Sequence, residues 1–289
     1  MSDKPTLITS RDPKGIAITG LFEAALNKAK LDEDQGQRVF EHGGELQEDI
    51  LAILAKYGTP NEFANEEVSS KYGYLSGYRN PKSIADQLKI LRESFPNLES
   101  ANEAIAQQER PTSSEGYFAI PRWQLIAPTY GEAVEKVLDA LKKQRKGKFE
   151  NYRKGKLRSE YLRESDRKRL AFEQLSKEQQ GHDVLVVAAQ FGLRHRGRSV
   201  RRARAIMGGK EFGFGAFEIG IMLLTHQDRL LNLNDLWIDC AGDEYSPGAG
   251  GRFGGAPYFY FRGGRLEFDA HWVSSARDRY GSASAFSPQ

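Results

Sequence analysis

Residues 183–210 constrain the fold more than any other stretch. Asp183 to Ala189, DVLVVAA, is apolar and β-branched without alternation, which reads as a buried strand. Gln190 to Lys210 follows at once and carries Arg194, Arg196, Arg198, Arg201, Arg202, Arg204 and Lys210, with His195 among them and no acidic residue. A sheet therefore ends in a loop and a helix that both bear guanidinium groups. Ser199 is placed to cap that helix, which turns Val200, Ala203, Ile206 and Met207 inward.

Arginine offers a planar, permanently charged fork that fits phosphate and carboxylate. Several of them at the end of a rigid element read as an anion site, and nucleic acid is the commonest polyanion. A second basic stretch, from Lys142 to Arg169, contributes Lys148, Arg153 and Lys156, with Phe149, Tyr152 and Tyr161 as rings for stacking on bases. The expectation is a nucleic-acid-binding protein, on DNA or RNA, that works without catalysis and mostly through the phosphate backbone. No helix-turn-helix, zinc-finger, RRM or KH signature is present to read bases.

The opposite charge is segregated upstream. Between Leu31 and Val68 acids dominate, including Glu62, Glu66 and Glu67. One reading keeps this acidic part away from a bound polyanion; the other has the two regions pair with each other. A related alternative is a scaffold that docks an acidic protein partner on the arginines.

Three further constellations suggest chemistry. Asp239, Asp243 and Glu244 in WIDCAGDEY sit where a strand meets a glycine-containing loop, with Glu218, Glu267 and Asp269 as helpers. Oxygen ligands of this kind suit a hard divalent cation, so a Mg²⁺-dependent phosphodiesterase or nuclease is the enzymatic alternative. Cys240, the one cysteine, has His226 and Asp239 as conceivable partners for a thiol nucleophile, against the simpler reading of a small buried hydrophobe. His182, His195 and His271 stand isolated, and the glycines of GAGG and GRFGG lack a phosphate-loop ending.

The 289 residues read as an α+β chain: a mainly helical N-terminal part, 1–110, and a mixed α/β part with a small sheet and a β-hairpin, 117–289. Helices are expected at 21–31, 32–41 with a capping box at Asp32 and Gln35, 46–57 ending at Gly58 before Pro60, 80–95 and 97–108. Gly43-Gly44 reads as the stop of the second of these. The polar run 107–116 reads as a linker, and 117–126 as a short strand. Further helices are expected at 129–141, with Thr129 and Glu132 as a capping box, at 159–175, 216–231 and 273–280. The basic run 142–155 reads as a loop or hairpin. Tyr258 to Asp269 forms a hairpin about Gly263-Gly264, and GSASAFSPQ reads as a small-residue tail. With no apolar run near membrane length and no leader-like start in MSDKPTLITSRDPKG, no membrane partner and a cytoplasmic location are expected.

Overall fold

The computed structural model describes residues 8–58 and 61–287. Pro60, the first seven residues and the last two, all part of the sequence reading, lie outside them. The fold is α+β. The chain divides into two units between Asn61 and Glu62. The expected linker at 107–116 runs inside the second unit, where Ser114 is buried.

The described residues of the first unit form three helices, α1 (Pro13–Ala29), α2 (Glu33–Glu41) and α3 (Gly43–Tyr57). Asp32 and Gln35 form the full capping box at the start of α2. Gly43-Gly44 does not end the helical run. His42 closes α2, and the glycines begin α3, which stops at Gly58.

The second unit holds two sheets. One is antiparallel, in the order β1 (Gly116–Pro121), β4 (Val184–Gln190), β11 (Ser284–Phe286), β5 (Glu211–Gly213). The buried run DVLVVAA is β4, a central strand with every side chain inside, which is why it shows no alternation. Its partner β11 comes from the segment expected to be a tail. Small residues there serve close packing rather than mobility: Ala283 and Ala285 are fully buried.

The second sheet is mixed. β10 (Tyr280–Ser282) runs parallel to β6 (Trp237–Asp239), which pairs with β8 (Gly255–Arg262). β8 pairs on to β9 (Arg265–Trp272) and β7 (Asp243–Tyr245). β9 takes β2 (Phe149–Asn151), and β7 takes β3 (Leu162–Glu164). The β8–β9 hairpin turns on Gly263 and Gly264 at φ 60° and 77°, the left-handed pair that a two-residue hairpin turn requires.

Helices α4 (Ile84–Ser94), α5 (Tyr130–Gln144), α6 (Asp166–Glu178), α7 (Val200–Ile206) and α8 (Ala216–Thr225) complete the unit. α8 is buried along its whole length, as AFEIGIMLLT demands. It packs on α4, α5 and β1. Gly220 allows the contact with α5, since a Cβ there would lie 2.4 Å from Val137 Cγ1.

Several expected helices resolve differently. Only Glu103–Gln107 of 97–108 turns, as a 3-10 segment. Residues 159–175 split into β3 and α6, because Ser165 caps a fresh helix on the Lys168 amide. Thr129 caps α5 through the Glu132 amide. The run 142–155 ends α5 and then supplies β2, and α8 stops at His226 instead of reaching 231. Residues 273–279 are turns and irregular backbone.

Candidate functional site

The arginine-rich loop points its charge inward. Arg194 Nε lies 3.1 Å from both oxygens of Glu211, which His195 Nε2 also meets at 2.7 Å. Arg196 donates to the Tyr72 carbonyl and Arg198 to the Arg194 carbonyl and Glu67. Arg201 grips Glu66 in a two-pronged ion pair, and Arg202 takes Glu67 and the Glu62 carbonyl. Arg204 donates to the carbonyls of Ala241 and Asp243. Of the two readings of the segregated charge, the geometry gives the pairing one for the acids at 62–67 alone. Acids at 62–67 and bases at 198–202 clasp two distant segments together, while the side chains of Arg194, Arg196 and Arg201 stay partly open to solvent.

The carboxylates expected to share a metal do not converge. Asp243 and Glu244 are successive residues of β7 and so point to opposite faces. Asp243 is fully buried and accepts from Tyr130 Oη at 2.8 Å, Lys168 Nζ at 3.1 Å and the Ala216 amide at 2.7 Å. Glu244 pairs with Arg163 at the surface, and Asp239 pairs with His271. Glu218 joins Lys168 at 2.8 Å, while Glu267 and Asp269 pair with Arg265 and Arg153. Among the described residues no group of three or more His, Cys, Asp or Glu is arranged to hold a metal ion. The Mg²⁺ site is therefore not formed. Cys240 is fully buried, and burial, with Asp243 and Asp239 near, pushes its thiol well above the ordinary range. It is a buried hydrophobe rather than a nucleophile.

Two groups on and just beyond α8 carry opposite pH signatures. Burial pushes the Glu218 carboxyl up to about 7, against the pull of Lys168. Its contribution to stability is complete below the ordinary carboxylate value and lost as pH rises through about 7. Burial, with Lys82 nearby, pushes His226 down to about 4, where its Nε2 accepts from the Lys82 amide. That contribution is complete above the ordinary histidine value and lost as pH falls through about 4. The two shifts act in opposite directions on the pH dependence of stability. Relative to the parent, Glu218→Gln is expected to gain stability as pH rises from 4.5 to 7, and His226→Gln to lose it. Urea midpoints at the two pH values check this, and parallel profiles for parent and variants would refute it.

The arrangement best suited to chemistry lies on the mixed sheet, on the face opposite Ile238, Phe259 and Phe268. Asp239 on β6, Tyr258 on β8 and Asp269 on β9 stand in register, and Ala256 stands opposite His271. The small Ala256 lets the imidazole reach across β8, so that His271 Nε2 meets Asp239 Oδ1 at 2.9 Å. Tyr258 and Tyr280 each place a ring centroid 4.9 Å from it. Asp239 is fully buried, and an ionised carboxylate there accepts the hydrogen of Nε2. Nδ1 is buried and has no partner among the described residues.

His271 also lines a cavity of about 140 Å³ with Arg153, Tyr245, Pro247 and Trp272. Tyr245 is buried there with Arg153 beside its hydroxyl. Arg153 pairs with Asp269 at 2.6 Å and lies over the Tyr245 ring at 5.4 Å. Trp272 is 59% exposed and packs against Gly254, where a Cβ would come within 3.2 Å of the indole. Sequence reading passed over His271 because its partner is 32 residues away. The available signal was the alternation of EFDAHW, which puts Glu267, Asp269 and His271 on one face of a hairpin whose other face is apolar.

The second basic stretch is disposed differently from the arginine loop. Lys142, Lys143, Lys146, Lys148, Lys154 and Lys156 are all exposed, and none forms an ion pair among the described residues. Tyr152 is 45% exposed and accepts from Arg265 at 2.9 Å, whereas Phe149 is buried and Tyr161 half-buried. Arg153, in the middle of this stretch, is the residue that reaches the His271 cavity. No helix among the described residues is long and apolar enough to cross a membrane. No protein-family model, no curated protein and no solved structure matches the chain.

Proposed function

We propose that the protein binds nucleic acid through the lysine-rich segment 142–156, with the exposed ring of Tyr152 beside it. The observation that carries this reading is the set of six exposed lysines that no carboxylate of the described residues neutralises. Unpaired ammonium groups along one segment contact successive phosphates and release counterions, which gives affinity without base reading. Arg194 and Arg196 add to the surface at most as outlying charges. The remaining arginines of that loop already have acceptors inside the protein.

The test is titration of labelled single-stranded RNA and DNA at two salt concentrations, with Lys148→Glu, Lys154→Glu and Lys156→Glu combined. Loss of three phosphate contacts is expected to weaken binding by more than tenfold. It should also lower the slope of log affinity against log salt by roughly two units. Equal affinity for parent and triple variant would remove this segment from the interface.

A further inference from the structure

We infer, resting on the nucleic-acid reading, that the space between Arg153 and Trp272 is a slot for one unpaired base, so that the nucleic acid held by the lysines is single-stranded. The strand register builds the slot. Tyr245, Gly255 and Trp272 stand side by side on β7, β8 and β9. Gly255 has no side chain, and Ala270, two residues before Trp272 on the same face of β9, has only a methyl group. The sheet surface between the two rings is therefore bare. Neighbouring strands lie about 4.8 Å apart, so the backbones that carry the rings are about 10 Å from each other. The cavity of about 140 Å³ at this place takes one flat ring system and is too small for a base pair.

Both walls suit stacking. On one side Trp272 is 59% exposed, and its indole rests on Gly254, where a Cβ would come within 3.2 Å. On the other side the Arg153 guanidinium lies over the Tyr245 ring at 5.4 Å, held by Asp269 at 2.6 Å and by the Ala270 carbonyl at 3.2 Å. Aromatic rings and guanidinium planes are the surfaces on which unpaired bases stack. Both are fixed before a ligand arrives, so little ordering is lost on binding.

The lysine segment leads to this slot. β2 runs parallel to β9, with Phe149 opposite Leu266 and Asn151 opposite Phe268, and the Tyr152 amide donates to the Phe268 carbonyl at 3.0 Å. The chain therefore travels from Lys148 toward the Trp272 end of β9, with Lys154 and Lys156 just past Arg153. Arg252, two residues before Gly254, adds an exposed guanidinium that forms no ion pair among the described residues. A backbone held by these charges passes the slot, and a base enters it only when it has no pairing partner. In a duplex the bases are turned inward, so the lysines still meet phosphates while the slot stays empty. Stacking uses the face of a base, which every base has, so no sequence preference is expected.

The experiment titrates the full chain with three labelled oligonucleotides of equal length, each as RNA and as DNA: a mixed-sequence single strand, the same strand annealed to its complement, and a single strand of abasic sites. The parent is expected to bind the base-bearing strand about tenfold more tightly than the abasic one. Trp272→Ala should remove that advantage and leave the abasic strand and the duplex within twofold of the parent, which also shows that the variant is folded. Trp272→Phe keeps a ring and should retain most of the advantage. A parent that does not distinguish base-bearing from abasic strands overturns this inference without any variant and leaves the lysine proposal standing. Trp272→Ala with the parent's affinity for the base-bearing strand overturns it, as does an equal loss on all three ligands. Failure of the parent to bind any of them overturns both readings.

Discussion

Lys168→Met is expected to abolish cooperative folding of the second unit. The ammonium is fully buried and holds Glu218, Asp243 and Glu164 at 2.8, 3.1 and 3.4 Å, with the Tyr130 hydroxyl at 2.7 Å. Burial alone would strip Lys168 of its proton, but the three carboxylates outweigh it and raise its pKa well above the usual lysine range. Gly215 and Gly242 frame the side chain so closely that a Cβ on either would meet Lys168 within 2.8 Å. Methionine fills most of the same space, so the effect isolates the charge. Two carboxylates would be left buried without a counter-ion, a loss of about 3–5 kcal/mol. Against a total stability of about 5–15 kcal/mol, that removes much or all of the margin. Urea unfolding followed by far-UV circular dichroism reads it directly. Adding Glu218→Gln and Asp243→Asn to Lys168→Met is expected to restore a cooperative transition, because neutral side chains no longer need the ammonium. A single variant within about 1 kcal/mol of the parent would show that the cluster is solvated rather than balanced.

The second large effect is expected from ending the chain after Ser282. Ser284, Ala285 and Phe286 form the strand that separates β4 from β5, hydrogen-bonded on both sides. Ser284 also donates to Glu211 at 2.6 Å and accepts from Gln190 at 2.8 Å. Removing it leaves β4, whose side chains are all buried, with an unpaired edge, and detaches β5 from its sheet. Loss of the near-UV circular dichroism signal and aggregation during purification are expected. Ala285→Pro should reproduce part of this, since a central strand cannot spare an amide. A truncated chain that keeps the parent's urea midpoint would mean that β11 only decorates the sheet.

What the sequence discloses follows the range of the forces involved. β4, α8, the Asp32 capping box, the Ser199 cap and the Gly263-Gly264 hairpin are legible because each is decided within a few residues. The α+β class follows from them. The final strand was not legible, because GSASAF carries no hydrophobic pattern of its own. It is a strand only because β4 and β5 present two open edges and its alanines fit between them. The arginine loop was found, but its direction was not. Whether Arg201 faces water or Glu66 depends on a segment about 135 residues away. The Asp239–His271 pair and the Lys168 cluster are invisible for the same reason, since their members come from different strands and helices.

The position of β11 also bears on how the chain is made. Synthesis proceeds from the N-terminus, so β1, β4 and β5 have all emerged while the strand that joins β4 to β5 has not. For the time needed to translate some seventy residues after Gly213, β4 can pair with β1 on one edge only. Its other edge, apolar and unpaired, is open to the wrong partner. The first sheet cannot close until residue 286 has been added and has left the ribosome. Slow translation between Gly213 and Phe286 would therefore prolong exposure of this edge, and a holding chaperone would be most useful in that interval.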